Sequence, residues 1–146
     1  MARVNTYLNF PGNTEAAFMF YQSVFGTEFV GGRMSRMGEA PADPTQPPMS
    51  EKDKNLIMHV ELPLLGGHSL MGTDLPESRG TKLVFGTNFF ISLQPDTRVE
   101  TDKLFKGLSD GGTVTMPLQD MFWGDYYGSC TDKFGVQWMF NCNEKK

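Results

Sequence analysis

Polar and apolar residues alternate along several short stretches of the chain. Because successive side chains on a strand point to opposite sides of a sheet, the alternation predicts strands and sorts their faces. In residues 4–10, Val4, Leu8 and Phe10 share one face, and Asn5, Tyr7 and Asn9 share the other. The run breaks at Pro11, and Asn13 is placed to cap a helix over Thr14 to Phe25. The apolar stripe of that helix is Ala17, Tyr21, Val24 and Phe25, and Gly26 suits a left-handed C-cap. The same order of signals returns 83 residues later, when Asn5 to Thr14 is laid over Asn88 to Thr97 (88 − 5 = 83). Phe89, Ile91 and Leu93 oppose Asn88, Phe90 and Ser92, and Asp96 takes the cap position. A helix over Arg98 to Ser109, with the stripe Val99, Leu104 and Leu108, then stops at Gly111-Gly112. Identity across the repeat is weak, and the recurring pattern carries it.

Strand character follows each helix: Glu28 to Arg36, Leu56 to Leu62 and His68 to Thr73 in the first half, then Thr113 to Leu118, Tyr126 to Thr131 and Val136 to Cys142 in the second. Each half therefore reads β-α-β-β-β. The modules are residues 1–74 and 86–146, and together they form one domain of α+β class. Residues 37–55, with Pro41, Pro44, Pro47 and Pro48 and a charged end, read as a long mobile loop. Such a loop either closes over a pocket as a lid or is a disordered insertion without a role.

In residues 56–62 alternation separates Leu56, Met58, Val60 and Leu62 from Ile57, His59 and Glu61. The apolar faces seat the helices, so the polar and aromatic faces look away from them. Burying an unpaired polar group costs about 1 to 3 kcal/mol, so a face of Asn, Tyr, Phe, Ser, His and Glu is no dry core. It is solvated, it lines a ligand cavity, or it meets a second chain. The aromatic segment Phe122 to Tyr127 favours the cavity, because those rings are otherwise unusually exposed. Asp132-Lys133-Phe134-Gly135 reads as a tight turn. If Thr131 pairs with Val136 across it, Tyr126, Gly128 and Cys130 face the cavity with Met139, and Cys142 faces away.

Composition narrows the function classes. The chain has 146 residues and a formal net charge of −4, with no Lys/Arg cluster, which makes a nucleic-acid backbone or an anionic membrane a poor partner. No apolar run approaches the ~20 residues of a membrane span, and no signal-peptide stretch opens the chain, so a cytoplasmic protein is expected. Two cysteines, Cys130 and Cys142, fit a reducing compartment rather than a disulfide framework.

Several motifs carry a family resemblance. They are Tyr7-Leu8-Asn9-Phe10, the helix end Tyr21-Gln22-Ser23-Val24-Phe25-Gly26, Phe122-Trp123-Gly124, and Asp132-Lys133-Phe134-Gly135-Val136-Gln137-Trp138. With the duplicated modules, these resemble the PhnB-like branch of the vicinal-oxygen-chelate superfamily, which includes glyoxalases, bleomycin resistance proteins and extradiol dioxygenases. The resemblance implies two tandem βαβββ modules in a cup-shaped mixed sheet with helices on the convex face, usually completed by a homodimer. In metal-using relatives it also implies four inward ligands on the first and last strands of the modules. Carried over, those positions are Asn5, Met71, Asn88 and Met139. An amide oxygen is a weak ligand and a thioether a soft one, so this set does not suit Zn²⁺ or Ni²⁺, and no metal or other cofactor is expected.

The expected function is therefore small-molecule binding in a metal-free cup lined by Asn5, Tyr7, Asn9, His59, Glu61, Met71, Asn88, Phe90, Trp123, Tyr126 and Met139. Aromatic faces would hold a planar or apolar ligand, and amides would orient it. The alternative is a metal-dependent lyase, isomerase or dioxygenase-type enzyme using His59 and Glu61, with a third ligand from His68 or a partner chain. A third reading makes the polar face a dimer contact.

Overall fold

A computed structural model describes residues 1–80 and 82–146, with Arg79 described by its backbone only. The chain divides into two compact units, Met1–Val84 and Phe85–Lys146.

The first unit contains β1 (Thr6–Phe10), α1 (Thr14–Phe25), β2 (Ser35–Arg36), α2 (Glu51–Lys54), β3 (Ile57–Pro63) and β4 (Ser69–Asp74). The second contains β5 (Ile91–Leu93), α3 (Arg98–Ser109), β6 (Thr113–Asp120), β7 (Tyr126–Thr131) and β8 (Gln137–Cys142). Each unit holds a four-stranded mixed sheet, in the orders β1-β4-β3-β2 and β5-β8-β7-β6. In both, the first strand runs parallel to the last and every other pairing is antiparallel. The long helix of each unit covers one sheet face, α1 against β3 and β4, and α3 against β6, β7 and β8. No helix among the described residues is long and apolar enough to cross a membrane.

Both long helices keep their predicted bounds, but their anchoring differs from expectation. Thr14, Ala17, Phe18 and Tyr21 are the buried positions of α1. They meet the sheet at Gly72, where a Cβ would lie 2.5 Å from the Phe18 ring, so glycine is what lets helix and strand close. Gly26 ends the helix at φ 70°, its N–H donating to the Gln22 carbonyl. Asn13 makes no side-chain cap. Its task falls to the buried Asp74 at the end of β4, whose Oδ1 accepts from the Thr14 amide at 3.0 Å and the Thr14 hydroxyl at 2.6 Å. In the second unit Thr97, not Asp96, caps α3 by accepting from the Glu100 amide. Val99 is 79% exposed, and Thr101, Leu104 and Leu108 form the buried stripe.

Other expectations shift as well. Residues 28–36 are mostly not strand: Gly31 and Gly32 adopt φ 77° and 76° in a 3-10 turn, and only Ser35–Arg36 pair. Val4 and Phe89 precede their strands and are exposed. In β3 the predicted parity holds only from Val60 onward: Ile57 is buried and Met58 is 39% exposed. The cause is local. The Thr73 hydroxyl donates to the Ile57 and Met58 carbonyls, and Asp74 Oδ2 accepts from the Ile57 amide, in place of regular ladder bonds. Loop 37–55 has pinned ends. Arg36 donates to the Asn55 carbonyl and pairs with Glu15 of α1, the Met37 amide donates to the Leu56 carbonyl, and Ser50 caps α2.

Candidate functional site

The helix-free face of the first sheet is built from a row across three strands. Tyr7 on β1 opposes Met71 on β4, which opposes Glu61 on β3. Aligned partners project to the same side, so phenol, thioether and carboxylate stand side by side. His59 joins them: its Nδ1 lies 3.3 Å from the Tyr7 hydroxyl, with the rings 5.8 Å apart. Tyr7 remains half exposed. The Glu61 carboxylate is almost covered and pairs with the Arg3 guanidinium at 3.1 Å. Asn9 is exposed beside Thr73, its register partner. Asn5 turns its Oδ1 inward to accept the Ser69 amide at 3.2 Å.

On the second sheet the corresponding row is Ser92, Met139, Ser129 and Met116, from β5 to β6. Gln137 and Asn141 flank Met139 on the same strand face. The Gln137 amide donates to the Phe89 carbonyl, and that of Asn141 to Asp125. Asn88 and Phe90 lie in the segment before β5. The turn between β6 and β7 carries Phe122, 97% exposed, edge-on to Trp123, which is in turn edge-on to Tyr127.

Tyr126 does not belong to this face. Asp132 pairs with Val136, its amide donating to the Val136 carbonyl, so the turn has three residues and Thr131 opposes Gln137. That one-residue change of register reverses every side chain of β7. Tyr126 therefore lies on the α3 side. Its hydroxyl donates to Asp102 at 2.5 Å, and the Arg98 guanidinium sits 4.6 Å from its ring. The hydrogen bond to Asp102, with burial second, pushes the phenol up to about 12. Tyr127, absent from the expected lining, takes the place on the Met139 side.

The same register puts Cys130, opposite Trp138, on the side of Cys142. Both thiols are free and buried, and four residues of strand, about 13 Å, keep them from bridging. Burial, aided by Asp132, pushes the Cys130 thiol up to about 12. A thiol held neutral is a poor nucleophile. Cys130 is therefore expected to resist iodoacetamide in the folded protein at pH 8 and to react once denatured; rapid native alkylation would contradict this. Raised above its usual 9, this group lends stability that is intact below pH 9 and lost as pH climbs toward 12. Cys130→Ala is expected to flatten that alkaline decline in urea titrations.

The metal test is one of donor chemistry. Of the four positions carried over from metal-using relatives, Asn5 has its oxygen on a backbone amide, Asn88 offers another amide, and Met71 and Met139 offer thioethers. His59 and Glu61 share a face but are engaged by Tyr7 and Arg3. His68 bonds Thr6 through Nε2 at 2.8 Å, and Thr6 alternates with Tyr7 toward the other face. Among the described residues, no three His, Cys, Asp or Glu side chains come together as metal ligands. These donors do not fit the divalent ion of metal-using relatives.

Comparison with known proteins agrees with this architecture. The chain is 28% identical to Protein YjdN of Escherichia coli over 142 residues, covering 94% of this chain and 93% of that one. Among solved structures, protein PA1353 from Pseudomonas aeruginosa aligns over the whole of both chains at 33% identity with a TM-score of 0.82. A Bacillus cereus PhnB protein, described as a putative 3-demethylubiquinone-9 3-methyltransferase, aligns at 26% identity with a TM-score of 0.73, covering 97% and 99% of the two chains. Residues 3–140 match the family's own pattern from the first strand to the last, and the chain belongs to the Glyoxalase/Bleomycin resistance protein/Dioxygenase superfamily.

Proposed function

We propose that this chain binds a small organic molecule on the helix-free faces of its sheets without a metal ion. The first unit would use Asn5, Tyr7, Asn9, His59, Glu61 and Met71, and the second Asn88, Phe90, Trp123 and Met139. The observation that carries the reading is that Asn5, Met71, Asn88 and Met139, the positions the family resemblance assigns to metal ligands, are amides and thioethers in units that keep exposed rings at Tyr7 and Trp123. Without an ion to polarise adjacent oxygens, affinity must come from ring contact and amide hydrogen bonds. The reading includes a homodimer in the cytoplasm, checked by light scattering in solution and by fractionation.

The test pairs metals with metabolites. Elemental analysis after dialysis is expected to find no stoichiometric metal, and Zn²⁺, Ni²⁺, Mn²⁺ and Fe²⁺ are expected to leave the melting temperature unchanged. A planar metabolite at a hundredfold excess over its dissociation constant should add about 2.7 kcal/mol of stability. Tyr7→Ala or Trp123→Ala should abolish that gain. Stoichiometric metal lost on His59→Ala would sink the proposal in favour of a metalloenzyme.

A further inference from the structure

Glu61 is the carboxylate in the row Tyr7, Met71 and Glu61 on the first sheet's open face. Only 11% of its side chain is exposed, yet among the described residues one hydrogen bond reaches its carboxylate, from an Arg3 guanidinium that is itself 57% exposed. A carboxylate has about four acceptor sites, and a guanidinium can fill two of them at once through parallel N–H groups. Here one Arg3 nitrogen engages one oxygen, so the pairing is incomplete. Arg3 belongs to the segment before β1, where Met1 and Val4 are among the most exposed apolar residues of the protein. An ion pair made by so exposed a side chain contributes little and is readily exchanged.

The surroundings define what would replace it. Met71 stands between Tyr7 and Glu61 in the row, and the Tyr7 phenol reaches across it to His59 on β3, 3.3 Å away and two residues from Glu61, so rings, thioether and carboxylate are neighbours on one face. The His59 ring, tilted 36° to that of Tyr7, closes the row on the β3 side. Rings and thioether favour a flat aromatic body, and the carboxylate at one end favours a planar cation. Resting on the small-molecule reading above, we infer that Glu61 is the cation subsite of this face, that Arg3 fills it as a removable strap, and that the ligand class is an aromatic amidinium or guanidinium.

Benzamidine is the probe, compared with benzamide, its uncharged analogue, and with benzoate, in NMR titrations at pH 7.5 that follow the Tyr7 ring. Arg3→Ala should tighten benzamidine about fivefold by vacating the carboxylate, because apparent affinity scales with the fraction of open sites. Glu61→Gln, which keeps shape and removes charge, should abolish the preference for benzamidine over benzamide in both backgrounds. Unchanged benzamidine affinity in Arg3→Ala, or equal binding of all three probes, would overturn the subsite while leaving small-molecule binding intact. Failure of every probe, alongside metabolite binding in the thermal assay, would also overturn it. The broader reading stands or falls on the metal and metabolite titrations.

Discussion

Asp74→Ala is expected to lower the stability of the first unit by about 4 kcal/mol, because it strips the acceptor from three donors at once. The Thr14 amide and hydroxyl share Oδ1, and the Ile57 amide lies 2.7 Å from Oδ2. Thr14, Ile57 and Asp74 are all within 3% of complete burial, so water cannot readily replace the carboxylate. Each buried donor left without a partner costs about 1 to 3 kcal/mol. One side chain thus ties the start of α1, the start of β3 and the end of β4 together. Asp74→Asn keeps one oxygen for Thr14 and turns an NH₂ toward the Ile57 amide, so roughly half the loss is expected. Urea unfolding followed by far-UV circular dichroism measures both. A loss below about 1 kcal/mol for the alanine variant would show that the three donors find other acceptors.

Gly112→Ala should be the most damaging single-methyl addition. Its Cβ would lie 2.2 Å from the Thr131 carbonyl oxygen and 2.9 Å from backbone atoms of Asp132. Backbone of a paired strand cannot rotate away as a side chain can, so the turn from α3 into β6 must separate from the β7–β8 hairpin. A cost of about 3 kcal/mol or more is expected. Gly72→Ala is the informative contrast, because its clash is with the edge of the Phe18 ring. Adding Phe18→Leu should recover part of the Gly72→Ala loss, and no side-chain change should recover Gly112→Ala. Denaturation midpoints of the two singles and the double decide the matter. Equal losses at the two glycines would refute the distinction between yielding and unyielding neighbours.

These residues also mark where the sequence could be read and where it could not. The bounds of both long helices were legible, because a break in the strand pattern, an apolar period and a following glycine bracket each of them, but their caps were not: Asn13 makes no side-chain cap and Thr97 takes the place expected of Asp96. Alternation alone put Tyr7 on its face, whereas Met71 entered through the family resemblance and their pairing is seen only in the register of β1 and β4. Tyr126 was misplaced because a three-residue and a four-residue turn fit Asp132–Gly135 equally well by composition, and the choice reverses a whole strand. Asp132 makes that choice through side-chain bonds to the Phe134 and Val136 amides and the Trp138 indole, contacts no local pattern announces. The capping by Asp74 was hidden for a similar reason: it joins residues 60 positions apart. Arg3 was missed because a lone charge ahead of a strand gives no signal until its partner is seen.

The parallel pairing of the first strand with the last has a consequence for how the protein is made. Tyr7 waits for Met71, and Ile91 for Trp138, so each sheet closes only when its final strand is available. Closing so long a stretch of chain is entropically costly, and topologies dominated by such distant contacts fold slowly. During synthesis β1 emerges early with both edges unpaired, and the β4 that pairs with it also delivers Asp74 to the start of α1. The first unit should therefore acquire protease resistance abruptly, after residue 74 clears the ribosome, and nascent chains arrested short of β4 should remain digestible through α1.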